Sequence, residues 1–180
     1  MKQHFAFAIP PLTSAKPPAN APVLAIRRLS VSSPFDGISL VYRTGQFSYE
    51  TDPYAEFLAP PADVLRAPLR QYFQASGLFG DVTQQGSALR PNLLVEITVE
   101  QLYGDFRNRA DPQAVLEVRL AFFDAPGGRP GKVILDKNYV RRAKLAARSA
   151  AALMASWNDA LKQIMAEAVS DLERALLRSP

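Results

Sequence analysis

At 180 residues, with 48% hydrophobic and 21% charged side chains, the chain is long enough for one domain with a sizeable core and too apolar for a disordered segment. It has no cysteine, which excludes a disulfide scaffold, a thiolate metal site and a cysteine nucleophile, and its net charge of +4 does not by itself mark a nucleic-acid binder. No apolar run reaches the roughly 18 residues a membrane-spanning helix needs.

Residues 5–9 form a short apolar segment suited to an edge strand. The prolines that follow, at 10, 11, 17, 18 and 22, forbid helix and central strand, so residues 10–22 are expected to run as an extended linker wrapping the domain. Residues 24–31 are the next predicted strand. Residues 38–43 and 46–50 are rich in Val, Tyr and Phe and flank Thr44 and Gly45, which predicts a tight hairpin. Asp52 before Pro53 predicts the cap of a short helical turn carrying Tyr54, Phe57 and Leu58. A helix should follow Pro60 and Pro61, with Leu65, Leu69, Tyr72 and Phe73 on one stripe and Gly77 as its left-handed stop. Pro68 lies one turn in and is expected to delay or bend that helix. Residues 79–84 suit one more short strand.

The plainest strand signal is Leu93, Val95, Ile97 and Val99 alternating with Leu94, Glu96, Thr98 and Glu100. Residues 114–123 repeat the pattern, with Leu116, Val118, Leu120 and Phe122 on one face and Glu117 and Arg119 on the other. The two should pair as a hairpin across residues 104–112, with Arg119 sharing a polar face with Glu96 and Glu100. A glycine-rich turn at 126–131 leads to a last strand at 133–140. Residues 149–179 then hold one helical period throughout: Leu153, Met154, Trp157, Leu161, Ile164, Met165, Ala168 and Leu172 fall on one stripe, and Ser149 is placed to cap it. Trp157 is expected on the dry face of the sheet. Because Glu96, Thr98, Glu100, Glu117 and Arg119 leave the opposite face wet, the predicted architecture is α+β in two layers, a mostly antiparallel sheet with two main helices on one face. The whole of residues 1–180 is read as a single domain.

Side chains for chemistry are few. His4 is the lone histidine and lies near the start, and no paired carboxylates stand in a recognisable loop, so no catalytic, cofactor-binding or metal-binding residue is assigned. Gly127, Gly128 and Gly131 lack the Lys-Ser/Thr of a phosphate cradle and suit a hairpin turn. Lys132, Lys137, Arg141, Arg142, Lys144 and Arg148 cluster with only Asp136 against them. That run reads as a solvated strand end, or, more sharply, as contact with an anionic surface through Lys137, Arg141, Arg142 and Lys144. A basic α+β nucleic-acid-binding domain is the alternative it keeps open. Tyr42, Arg43, Phe47, Tyr49, Tyr54 and Phe57 gather in a turn-rich region and are expected to form a partner or self-association surface.

Several of these residues also carry a resemblance. Val41-Tyr42-Arg43, the aromatic strand at 47–49, Tyr54-Ala55-Glu56-Phe57 with Pro60-Pro61, a helix, and Ser76-Gly77-Leu78-Phe79 followed by Val82 come in an order and spacing that resembles the ABC-type transport auxiliary lipoprotein family. The likeness continues through residues 93–102 and the alanine-rich start of the last helix, and so covers nearly the whole chain. It implies a non-enzymatic lipoprotein on the periplasmic side of a Gram-negative envelope, tethered to the outer membrane by an N-terminal lipid anchor upstream of Gln3. It further implies work beside an MCE-domain protein and an ABC permease and ATPase in moving lipids or other hydrophobic molecules, without cofactor or nucleic acid. A homo-oligomer is left open.

Overall fold

The computed structural model describes residues 1–9, 14–84 and 86–178; the first part of the expected linker, residues 10–13, lies outside them. The alternation at residues 93–99 builds the central strand. In chain order the described elements are β1 (Gln3–Phe5), β2 (Val23–Val31), β3 (Ser39–Arg43), β4 (Tyr49–Phe57), α1 (Pro61–Ala75), β5 (Asp81–Gln84), β6 (Leu93–Asp105), β7 (Gln113–Asp124), β8 (Val133–Lys144) and α2 (Ala150–Arg178). The strands form one sheet in the order β1-β4-β3-β6-β2-β5, with β7 on the other side of β6 and β8 outside β7.

The expected hairpin of β6 and β7 is present, and β7 and β8 form a second long antiparallel ladder. The sheet as a whole is nevertheless mostly parallel by strand pairing, which corrects the antiparallel expectation. Four of its seven pairings, β1 with β4, β2 with β5, β2 with β6 and β3 with β6, are parallel. The physical reason lies in the crossover: α1 carries the chain back after β4, so that β5 runs beside β2 in the same direction.

Both helices contribute to one continuous core on one face of the sheet, as the two-layer reading expects. From α2 come Leu153, Met154, Trp157, Leu161, Ile164, Met165, Ala168 and Leu172, and from α1 Leu65, Leu69, Tyr72 and Phe73. Burying each large side chain is worth roughly 1.5–3 kcal/mol before entropy is subtracted. Four such residues outweigh the ~3 kcal/mol that an interior proline costs, and α1 accordingly starts at Pro61 and holds Pro68 inside it without a late start. Ser149 Oγ accepts from the Ala152 amide at 3.2 Å, capping α2. Gly77, at φ +74, stops α1 as predicted. The described part of the linker does wrap the domain: Ala15 donates to the Ala75 carbonyl at 3.2 Å, and Gly80 to that of Pro22 at 3.0 Å. Before it, Phe7 and Ile9 are buried.

One local prediction fails. Residues 52–57 are not a helical turn but the second half of β4, interrupted by a bulge where the pairing jumps from Val41–Thr51 to Ser39–Glu56, and Leu58 lies just past it. Asp52 does cap backbone groups, accepting at Oδ1 from the amides of Tyr54 (2.8 Å) and Ala55 (3.0 Å), but in a strand bulge.

Candidate functional site

The six residues expected to share a surface near the β3–β4 hairpin are divided by the bulge. Phe57 leaves the set entirely: it is 2% exposed, its ring stacked 5.8 Å from Phe7 and 6.0 Å from Trp157 in the core. Tyr42 is half-buried. Its ring lies 4.7 Å from Phe106, and its hydroxyl donates to Asp52 Oδ2 at 2.6 Å. Burial, reinforced by that carboxylate, pushes the Tyr42 phenol well above its usual range. Arg43 donates through Nη2 to the Gln46 carbonyl at 2.8 Å and lies 5.7 Å over the Tyr49 ring, so it braces the turn. Tyr49 in turn packs edge-on against Tyr103 (5.8 Å) and Phe35 (6.2 Å). Phe47, at the turn, and Tyr54, in the bulge, remain open to solvent at 86% and 71% exposure.

The Phe35–Tyr49–Tyr103 group was not anticipated. A strict alternation from Leu93 would aim Tyr103 at the helices, but the register slips between Val99 and Gln101, so that Leu102 pairs with Leu116 and Tyr103 with Val115. Tyr103 thereby joins the face of Glu117 and Arg119. Leu58, 70% exposed beyond the end of β4, is a further apolar residue that pattern reading assigned to a helical turn. A second small apolar cluster on the face away from the helices, Ala25, Leu94 and Ala125 with Phe123, interrupts what was expected to be a wet surface.

The basic segment is likewise divided, because neighbours in a strand point to opposite faces. Lys137 and Arg141 face α2: Lys137 Nζ donates to Glu167 at 2.9 Å and Asp171 at 2.8 Å, and Arg141 Nη2 to Glu167 at 2.5 Å. Arg142 and Lys144 face the other way, 3.7 Å from Asp105 and 3.4 Å from Asp111. All four expected anion contacts thus stand within ion-pair distance of a carboxylate. Hydrogen bonds from Lys137 and Arg141 hold the Glu167 carboxyl below the usual range. At Asp171 burial pushes upward, and the hydrogen bonds from Lys137 and Tyr139 outweigh it, leaving that carboxyl low as well. Burial, with Asp171 as hydrogen-bond partner, drives the Tyr139 phenol up.

On the sheet's open face the charges pair differently from expectation. Arg119 forms a two-pronged pair with Asp136 of β8 at 2.8 and 2.6 Å, while Glu96 is taken by Arg27 and Arg28 of β2. Ser30 and Thr98 stand 3.4 Å apart, and Ser32 donates to Glu100 at 2.8 Å. His4 on β1 and Lys2 just before it both contact Glu56, at 3.0 and 2.7 Å. These polar groups are tied to one another between strands, an arrangement that holds strand register.

Comparison with known proteins bears on the fold and family. Residues 5–169 match the family model for the ABC-type transport auxiliary lipoprotein component. No curated protein matches the chain. Among solved structures, protein XCC0632 from Xanthomonas campestris is 19% identical with a TM-score of 0.72, over 88% of this chain and 90% of its own. An uncharacterized protein is 14% identical with a TM-score of 0.71, over 95% and 98% of the two chains. A PelC variant from Paraburkholderia phytofirmans, solved as a dodecamer, is 14% identical with a TM-score of 0.51, over 89% and 94%. At these identities the structural neighbours bear on the fold alone, and it is the family match across nearly the full length that shows that this chain belongs to the ABC-type transport auxiliary lipoprotein family.

Proposed function

We propose that this chain is a non-enzymatic, periplasmic component of an ABC/MCE-type envelope transport system, anchored by N-terminal lipid to the outer membrane and helping to move lipids or other hydrophobic molecules between membranes. The observation that carries this reading is the family match over residues 5–169, whose description names both ABC transport and a lipoprotein. The side-chain geometry supports a binding role. The ionisable groups displaced furthest, Tyr42 and Tyr139, are engaged with Asp52 and Asp171, in links that join elements of the fold to one another. The partners proposed are an MCE-domain protein and an ABC permease and ATPase, with self-association of this chain as a further part of the proposal.

Tyr54 is the residue proposed to contact a protein partner, because the bulge presents it 71% exposed while Asp52 holds its backbone. Arg43 is less suited to test the surface, since reversing its charge would also release Gln46 and Tyr49. The test is co-purification from membranes of the host with an affinity-tagged chain. The wild type should recover an MCE-domain protein and ABC components, and Tyr54→Ala should recover several-fold less at unchanged melting temperature. Full recovery by Tyr54→Ala would remove this surface, and a wild type that recovers no MCE-domain or ABC component would overturn the reading.

A further inference from the structure

One end of the sheet gathers three segments that are far apart in the chain: the turn 44–48, the loop 106–112 and the segment 145–149 leading into α2. The register brings them together. Arg43 pairs with Asp105 and Gln113 with Lys144, the Phe106 amide donates to the Arg43 carbonyl at 2.9 Å, and the Leu145 amide to that of Pro112 at 2.9 Å. β1 runs parallel to β4 alongside its far half, with Gln3 beside Ala55. The chain entering β1 therefore comes from the side of Tyr49 and the turn.

Two features coincide there. Residues 43–50, 104–113 and 142–149 together carry six Lys and Arg against three Asp and Glu, an excess of three in a chain whose whole net charge is +4. Arg109 is exposed and enters no ion pair among the described residues, and Arg148, also exposed, lies 4.9 Å over the Phe106 ring. The turn at the same end carries Phe47, 86% exposed. Its turn is pinned, with the Thr44 and Gly45 amides both donating to the Ser48 carbonyl, at 3.0 and 3.3 Å, and Arg43 holding Gln46. A large exposed aromatic on a braced turn, at an end of the sheet with an excess of cations, complements a bilayer surface, where anionic headgroups lie above an apolar layer.

We infer that this end of the domain faces a phospholipid surface, with Phe47 seated at the boundary of headgroup and acyl chain and Arg109 and Arg148 against anionic headgroups. The inference rests on the lipid-anchored reading, since a tether preceding Met1 would run along β4 from the direction of this end. Insertion of one aromatic then orients the domain, while the tether supplies the residence time.

Phe47→Trp in the full chain provides the probe, and Trp157, 0% exposed, supplies a constant background. The protein is held through an N-terminal histidine tag on vesicles of phosphatidylcholine with about 30% phosphatidylglycerol and a trace of nickel-chelating lipid. The residue at position 47 should shift its emission to the blue and be quenched by doxyl-labelled lipid, whereas the unsubstituted chain should show neither change. Arg109→Glu with Arg148→Glu, or vesicles without phosphatidylglycerol, should reduce the quenching about threefold. Vesicle-bound protein whose added tryptophan stays unshifted and unquenched would overturn the inference, as would its capture by a protein component that protects it equally without lipid. Quenching indifferent to headgroup charge would overturn the role of Arg109 and Arg148. Failure of the natural protein to incorporate a palmitate analogue in cells would instead overturn the anchored reading, and the vesicle result would stand apart from it.

Discussion

Replacing Trp157 by alanine tests the attachment of α2 to the sheet. The side chain is 0% exposed, its ring stacks 6.0 Å from Phe57, and its Nε1 donates to the Val115 carbonyl of β7 at 3.1 Å. Truncating a buried aromatic to alanine costs roughly 3–5 kcal/mol in transfer energy and residual cavity. The lost hydrogen bond, worth about 1 kcal/mol, places this site toward the upper end of that range. At roughly 2–4 °C per kcal/mol for a domain of this size, the melting temperature should fall by about 10–15 °C. Urea unfolding followed by circular dichroism would show the lower midpoint. Trp157→Phe keeps a ring against Phe57 and forfeits the N–H donor, so it should lose about 1–2 kcal/mol. In the native wild type, tryptophan emission should resist acrylamide. A Trp157→Ala chain that melts within about 2 °C of wild type, far less than a buried aromatic should cost, would refute the placement of this side chain as the bridge between α2 and β7.

The Glu167 and Asp171 carboxyls are held below their usual range by Lys137 and their other partners, so their contribution is present above the ordinary carboxylate pKa of about 4 and is lost as pH falls through the lowered values. Melting curves should show Lys137→Met below wild type at neutral pH and converging with it in acid; a difference independent of pH would contradict the pairing. Gly77→Ala places a Cβ 2.6 Å from that of Ala15 at φ +74 and should destabilise by about 2 kcal/mol in a denaturant titration. Tyr42→Phe removes the hydroxyl that donates to Asp52 and should cost roughly 1–2 kcal/mol, with circular dichroism unchanged before unfolding.

Local periodicity by itself determined where β6, β7 and α2 lie and which side of each is dry, in β6 as far as Val99, because side chains recur every second residue in a strand and every 3.6 in a helix whatever surrounds them. The Ser149 cap and the Gly77 stop were legible for the same reason: each depends on the chemistry of its immediate neighbours. Strand direction was not legible. The parallel pairing of β2 with β5 and β6 follows from where α1 packs, which no window of sequence contains. The bulges were equally hidden: those at residues 52–55 and between Val99 and Gln101 reverse the sidedness of the residues beyond them, and they turned an expected aromatic surface into a buried Phe57, a packed Tyr49–Tyr103 group and two separate exposed residues, Phe47 and Tyr54. The basic strand was legible as composition only. Tertiary structure decided that Lys137 and Arg141 meet carboxylates of α2 while Arg142 and Lys144 meet Asp105 and Asp111 across the sheet, because an ion pair between distant segments exists only once the chain has brought them together.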